Sequence, residues 1–119
     1  MKRRYRLRRT SEFQAAIGGK RVFNGRALVA YAVPNQGGET RVGVTASRTF
    51  KGAVERNRAR RRVREVARMD LLGTDSPLHR VGIRYDVVLI ARPAALEISF
   101  ADLRAETEQA VLRLSKLSP

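Results

Sequence analysis

On a helical wheel of about 100° per residue, residues 53–69 divide into two chemically opposed sides. Ala59, Val63, Val66 and Ala67 fall together and form a core stripe. Asn57, Arg60, Arg61, Arg64 and Arg68 fall at i, i+3, i+4, i+7 and i+11 on the other side. Arg58 and Arg62, at i and i+4, carry the basic stripe further round, and Arg56 lies near the edge of the core side. Only Glu55 and Glu65 offset these cations. Like charges at i, i+4 cost an isolated helix about 0.2–0.5 kcal/mol per pair. A helix from about Ala53 to about Leu71 is therefore held by packing of its apolar stripe. The repulsion on its other side makes sense if phosphates neutralise it and release their counterions.

The rest of the charge supports a polyanion partner. The chain has 119 residues, 25 Lys+Arg against 11 Asp+Glu and a net charge of +14. Residues 1–9 carry +6 and residues 51–68 another +6, whereas residues 69–119 sum to −1. Of the cations, 21 are arginine, whose guanidinium grips phosphate bidentately and stacks on bases. The absence of cysteine excludes disulfides and thiolate metal sites, and a lone His79 excludes a multi-histidine centre. No apolar run approaches the ~18–20 residues of a membrane span, and no apolar segment follows the basic N-terminus as in a signal peptide. These features point to one soluble, cytoplasmic domain over residues 1–119, with residues 1–9 as a basic N-terminal arm. The acids offer no paired-carboxylate site for hydrolysis. Asp102, Glu106 and Glu108 read as surface or cap positions of a helix.

Other elements follow from pattern. Residues 11–17 read as a helix, with Ser11 as N-cap, Gln14 completing a capping box and Gly18-Gly19 as the stop. Residues 21–23, 27–33 and 41–46 read as strands in an antiparallel meander, with residues 34–38 as loop. Residues 85–91 read as a buried strand, and a last helix starts near Ser99 with Leu103, Ala110, Val111 and Leu114 as its apolar stripe. The order α-β-β-β-α-β-α predicts an α+β two-layer sandwich with a mixed, mainly antiparallel sheet. Phe50 reads as a packing residue, and His79 as a loop residue.

The run Ala53-Val54-Glu55-Arg56-Asn57-Arg58-Ala59-Arg60-Arg61-Arg62-Val63-Arg64 resembles the signature helix of the bacterial ribonuclease P protein subunit, centred on Arg56-Asn57-Arg58. Arg6-Leu7-Arg8-Arg9 with Phe13 is similar to that family's N-terminal segment. Arg41 to Arg48 is similar to its third strand and following loop, and Tyr85 to Pro93 to its fourth strand. The matches come in order and cover nearly the whole chain.

The resemblance implies an RNA-binding subunit that assists a catalytic RNA in removing the 5′ leader of precursor tRNA, with no catalytic residue of its own. It implies a left-handed β-α-β crossover, against the usual handedness. It gives RNA binding to Arg56, Asn57, Arg58, Arg60, Arg61 and Arg64, and Arg48, Lys51 and Arg68 extend that set. It gives a leader-binding cleft to Phe13, Ile17, Tyr31 and Thr45, with Ile17 supplying apolar packing where the family commonly has an aromatic ring. Mg²⁺ belongs to the assembled ribonucleoprotein, held mainly by RNA. The partners implied are the catalytic RNA and precursor tRNA, with no membrane, and self-association is left open. Two alternatives remain at this level: a non-enzymatic RNA-binding protein such as a ribosomal protein, and a duplex-DNA binder with the basic helix in a major groove.

Overall fold

Residues 84–91 form the strand around which the fold is organised. The computed structural model describes residues 3–35, 38–73, 76–80 and 84–117, without the side chains of Arg3, His79 and Arg80. In chain order the elements are α1 (Thr10–Ile17), β1 (Lys20–Asn24), β2 (Leu28–Asn35), β3 (Arg41–Ala46), α2 (Ala53–Asp70), β4 (Arg84–Ala91) and α3 (Phe100–Ser115). Short 3-10 turns occupy Arg3–Tyr5, Pro77–Arg80 and Pro93–Leu96.

The four strands lie in the order β1-β2-β4-β3. β1 and β2 pair antiparallel, as do β2 and β4, whereas β3 and β4 are parallel. The expected meander is therefore corrected, because β4 inserts between β2 and β3. Its near-continuous apolar run has to be covered on both faces and paired on both edges. β3 carries Arg41 and Thr45 and tolerates an edge. A parallel β3–β4 pair needs a long crossover, and α2 supplies it. β2 also runs beyond its expected end. Pro34 lies opposite Tyr85 in its last turn of pairing, where the lost donor costs least.

The sheet separates two cores. On one face Val42, Leu28, Ala30, Ala32, Tyr85, Val87, Leu89 and Ala91 pack against α2 and α3. α2 contributes Ala59, Val63, Val66 and Ala67, all four fully buried as the wheel requires. α3 contributes Leu103, Ala110, Val111 and Leu114, and Ser99 caps it by accepting the Asp102 N–H at 3.0 Å. Phe50 is buried in the same core. On the other face a smaller cluster joins Leu7, Ala16 and Val88, flanked by Phe13, Val33 and Ile90. α1 thus lies across part of the face that α2 and α3 leave open.

Two caps differ from expectation. α1 starts one residue early, with Arg9 rather than Ser11 as the cap residue. The anion is Glu12, whose Oε1 accepts the backbone N–H groups of Arg8 and Arg9 at 3.0 and 2.9 Å. A carboxylate there satisfies two donors and suits the positive helix end. Glu106 is no mere surface residue of α3. It reaches the β1–β2 turn and accepts the N–H groups of Arg26, Ala27 and Leu28 at 3.2, 2.8 and 2.9 Å.

Candidate nucleic-acid interface

α2 presents its basic side to solvent. Arg56, Asn57, Arg58, Arg61 and Arg68 are exposed, and Arg60 and Arg64 are half-buried. Arg60 donates to the Asn57 amide oxygen one turn earlier, which holds both groups on one side of the helix. Arg68 pairs with Glu65, so part of its charge is already met within the helix. Arg62 departs from the stripe. Its guanidinium donates to the carbonyl oxygens of Ala95 and Ile98 and lies 6.0 Å from the Phe100 ring centroid. It fastens α2 to the segment leading into α3. Arg48 and Lys51 are exposed in the connection before α2.

The described part of the N-terminal arm is anchored to the sheet at Arg6 and Leu7. Arg6 bridges Val42 in parallel register, the Leu7 N–H donates to the Val42 carbonyl at 3.0 Å, and Leu7 is buried. This covers the free edge of β3. Arg64 reaches the same edge from α2 and lines a small hollow with Arg6, Leu7, Phe13 and Gly43. Burial, then the nearby Arg6 and Arg60 cations, push the Arg64 guanidinium below its ordinary pKa. Two charge runs about fifty residues apart in sequence therefore meet at Arg6 and Arg64. Arg4, Arg6, Arg8 and Arg9 surround a second hollow with Arg41 and Glu12. Sequence reasoning saw the arm's charge but gave it no place.

Strand register places the expected cleft residues on the α1 face. Side chains of directly paired residues share a face. Gly43 of β3 pairs with Val88 of β4, Val88 with Tyr31 of β2, and Tyr31 with Arg21 of β1. The next row along that face is Thr45, Ile90, Val29 and Asn24. Phe13 meets the first row at its β3 end, against Gly43. Gly19, just after Ile17, passes β2, where an added β-carbon would stand 2.6 Å from the Ala32 carbonyl oxygen. α1 therefore crosses from β3 to β2, leaving Ile17 39% exposed on the β2 side. Tyr31, Thr45 and Phe13 are each half-buried, with part of each side chain available.

One ion network fixes the helix over this face. The Arg41 guanidinium bonds both Asp86 carboxylate oxygens, at 3.0 and 2.8 Å, and Glu12 at 2.7 Å. Asn35 donates to Asp86 at 2.8 Å. The Arg9 and Arg8 backbone donors, followed by Arg41, hold the Glu12 carboxyl down to about 2. Bonding to Asp86 first, and to Glu12 as well, raises the Arg41 pKa. The acids on this face are thus bound to Arg41, and no group of three or more His, Cys, Asp or Glu capable of holding a metal occurs among the described residues. The sequence signal for this region was the alternation of Arg41, Gly43 and Thr45. A glycine inside such a strand marks a close approach by another group.

A family model described as Ribonuclease P matches residues 1–115. A ribonuclease P protein component from Symbiobacterium thermophilum is 40% identical over 110 residues, covering 92% of this chain and 90% of the relative. One from Roseiflexus sp. is 37% identical over 118 residues, covering 98% and 91%. The solved RNase P protein of Staphylococcus aureus superposes with a TM-score of 0.67 at 27% identity, covering 94% of this chain and 95% of that one.

Proposed function

This chain belongs to the ribonuclease P protein family, and from that premise we propose that it binds a catalytic RNA through α2 and the 5′ leader of precursor tRNA through the α1 face of the sheet. The observation that carries this reading is the junction of Arg6 and Arg64 beside Phe13. It makes one cationic surface of the α2 stripe, the N-terminal arm and the mouth of the cleft. A polyanion lying on α2 is thereby brought next to a face with Phe13 and Tyr31 for base stacking, worth about 1–3 kcal/mol per base.

The protein's part in the reaction is positioning and charge screening. Arg56, Asn57, Arg58, Arg60 and Arg61 approach RNA phosphates, and Arg48, Lys51 and Arg68 extend the contact at either end. Arg64 lies between the two RNAs and lowers the repulsion between their backbones. Phe13, Tyr31, Thr45 and Ile17 hold the single-stranded leader. Hydrolysis is the work of the RNA in this reading, and Mg²⁺ held by the ribonucleoprotein would supply the activation of water and leaving oxygen there. The carboxylates on this face, Glu12 and Asp86, are bound to Arg41 and do not fit as ligands of that ion, which would be held by RNA oxygens. The site of action is the bacterial cytoplasm, and no described helix is long and apolar enough to cross a membrane.

Reconstitution tests this. The protein is added to a bacterial ribonuclease P RNA at low Mg²⁺, and cleavage of precursor tRNA is followed. Stimulation, with product ends at the mature 5′ position, is expected. No stimulation, with tighter binding to ribosomal RNA or duplex DNA, would overturn the reading.

A further inference from the structure

The row that carries Tyr31 does not end at Tyr31. Arg21 pairs directly with Tyr31 across the β1–β2 ladder, so the two side chains rise from the same face. The β1 register shifts immediately afterwards, between Arg21 and Phe23. That shift returns Phe23 to the buried core while Arg21 stays on the open side. Arg21 is exposed and makes no ion pair among the described residues.

From β3 to β1 the row reads Gly43 under the Phe13 ring, Val88, Tyr31 and Arg21. Arg64 and Arg6 stand at its β3 end. Neither this row nor the next, Thr45-Ile90-Val29-Asn24, contains an acid. The acids one row away, Glu12 and Asp86, are both held in ion pairs with Arg41. A strip about 14–15 Å long, at about 4.8 Å per strand, thus has cations at both ends and aromatic rings between them. Single-stranded nucleic acid is recognised by this combination of a cationic track and stacking platforms.

We infer that Arg21 is the far anchor of the leader: it binds a backbone phosphate upstream of the nucleotide that stacks on Tyr31, so the leader crosses the whole sheet and leaves over β1. The inference rests on the leader-binding role proposed above and adds a direction and a second cationic end to it. Contact at Arg21 is available only to leaders long enough to pass Tyr31.

The test uses the reconstituted holoenzyme and two precursor tRNAs, one with a leader of one nucleotide and one with a long unstructured leader. KM is measured for Arg21→Ala, Arg21→Lys and Tyr31→Ala, with circular dichroism to verify folding. Arg21→Ala is expected to shrink the KM advantage of the long leader several-fold. It is also expected to reduce the salt slope of long-leader binding by about 0.7, the value for one single-strand phosphate. Arg21→Lys should restore most of both. If Tyr31→Ala reduces the advantage and Arg21→Ala does not, the anchor is wrong and the cleft reading stands. If neither variant reduces it, both are overturned.

Discussion

The ring of Phe13 lies directly on the backbone of Gly43, so closely that a β-carbon there would stand 2.5 Å from two ring atoms. The Leu7 β-carbon would be 3.1 Å away. Gly43 therefore sets how near α1 comes to the sheet face that carries Tyr31. Gly43→Ala is expected to destabilise the protein by about 1–3 kcal/mol, the usual cost of overpacking, measured by urea unfolding. Adding Phe13→Ala should recover part of that loss, because the clash is with that ring. A neutral single variant would mean that α1 shifts freely.

Arg62 and Arg61 are adjacent in sequence and differ in task. Arg61→Ala should leave stability within about 0.5 kcal/mol, as for an exposed site, and lower the salt slope of RNA binding by about one. Arg62→Ala leaves the Ala95 and Ile98 carbonyls without their donor. It should cost about 1–3 kcal/mol of stability and leave the salt slope unchanged. Equal salt slopes for the two variants would refute this division.

Arg64 joins two basic runs. Arg64→Ala should weaken binding of both the catalytic RNA and the leader, whereas Arg58→Ala should weaken only the former. Filter binding of each RNA separately reads the difference. An Arg64→Ala protein with normal leader binding would show that the junction is not shared.

Glu12 makes stability depend on acid pH. Its folded pKa, about 2, lies below the ordinary value of 4.5. The unfolded chain thus binds the proton first as pH falls, and stability declines with it. The Glu12 contribution is complete above about pH 4.5 and lost progressively toward pH 2. Glu12→Gln should flatten that part of the stability–pH curve. It should also loosen α1, read as faster amide exchange at Phe13 and Ala16. An unchanged curve would place the acid sensitivity elsewhere.

The sequence by itself determined the long basic helix and its buried side, because a 3.6-residue period and four small apolar side chains leave one way to pack it. It also determined the buried strand at 85–91, which the structure begins one residue earlier at Arg84, and the Ser99 cap, which depend on neighbours in the chain. The arginine run identified the partner as a polyanion. Tertiary structure alone decided that β4 sits between β2 and β3, since pairing partners are set by which strand needs both edges covered. It alone turned Arg62 inward and gave Glu12, not Ser11, the helix end. It also brought Arg6 to Arg64, through a parallel bridge between residues far apart in sequence. Charge is written locally, but its continuity across a surface depends on which edges the chain brings together.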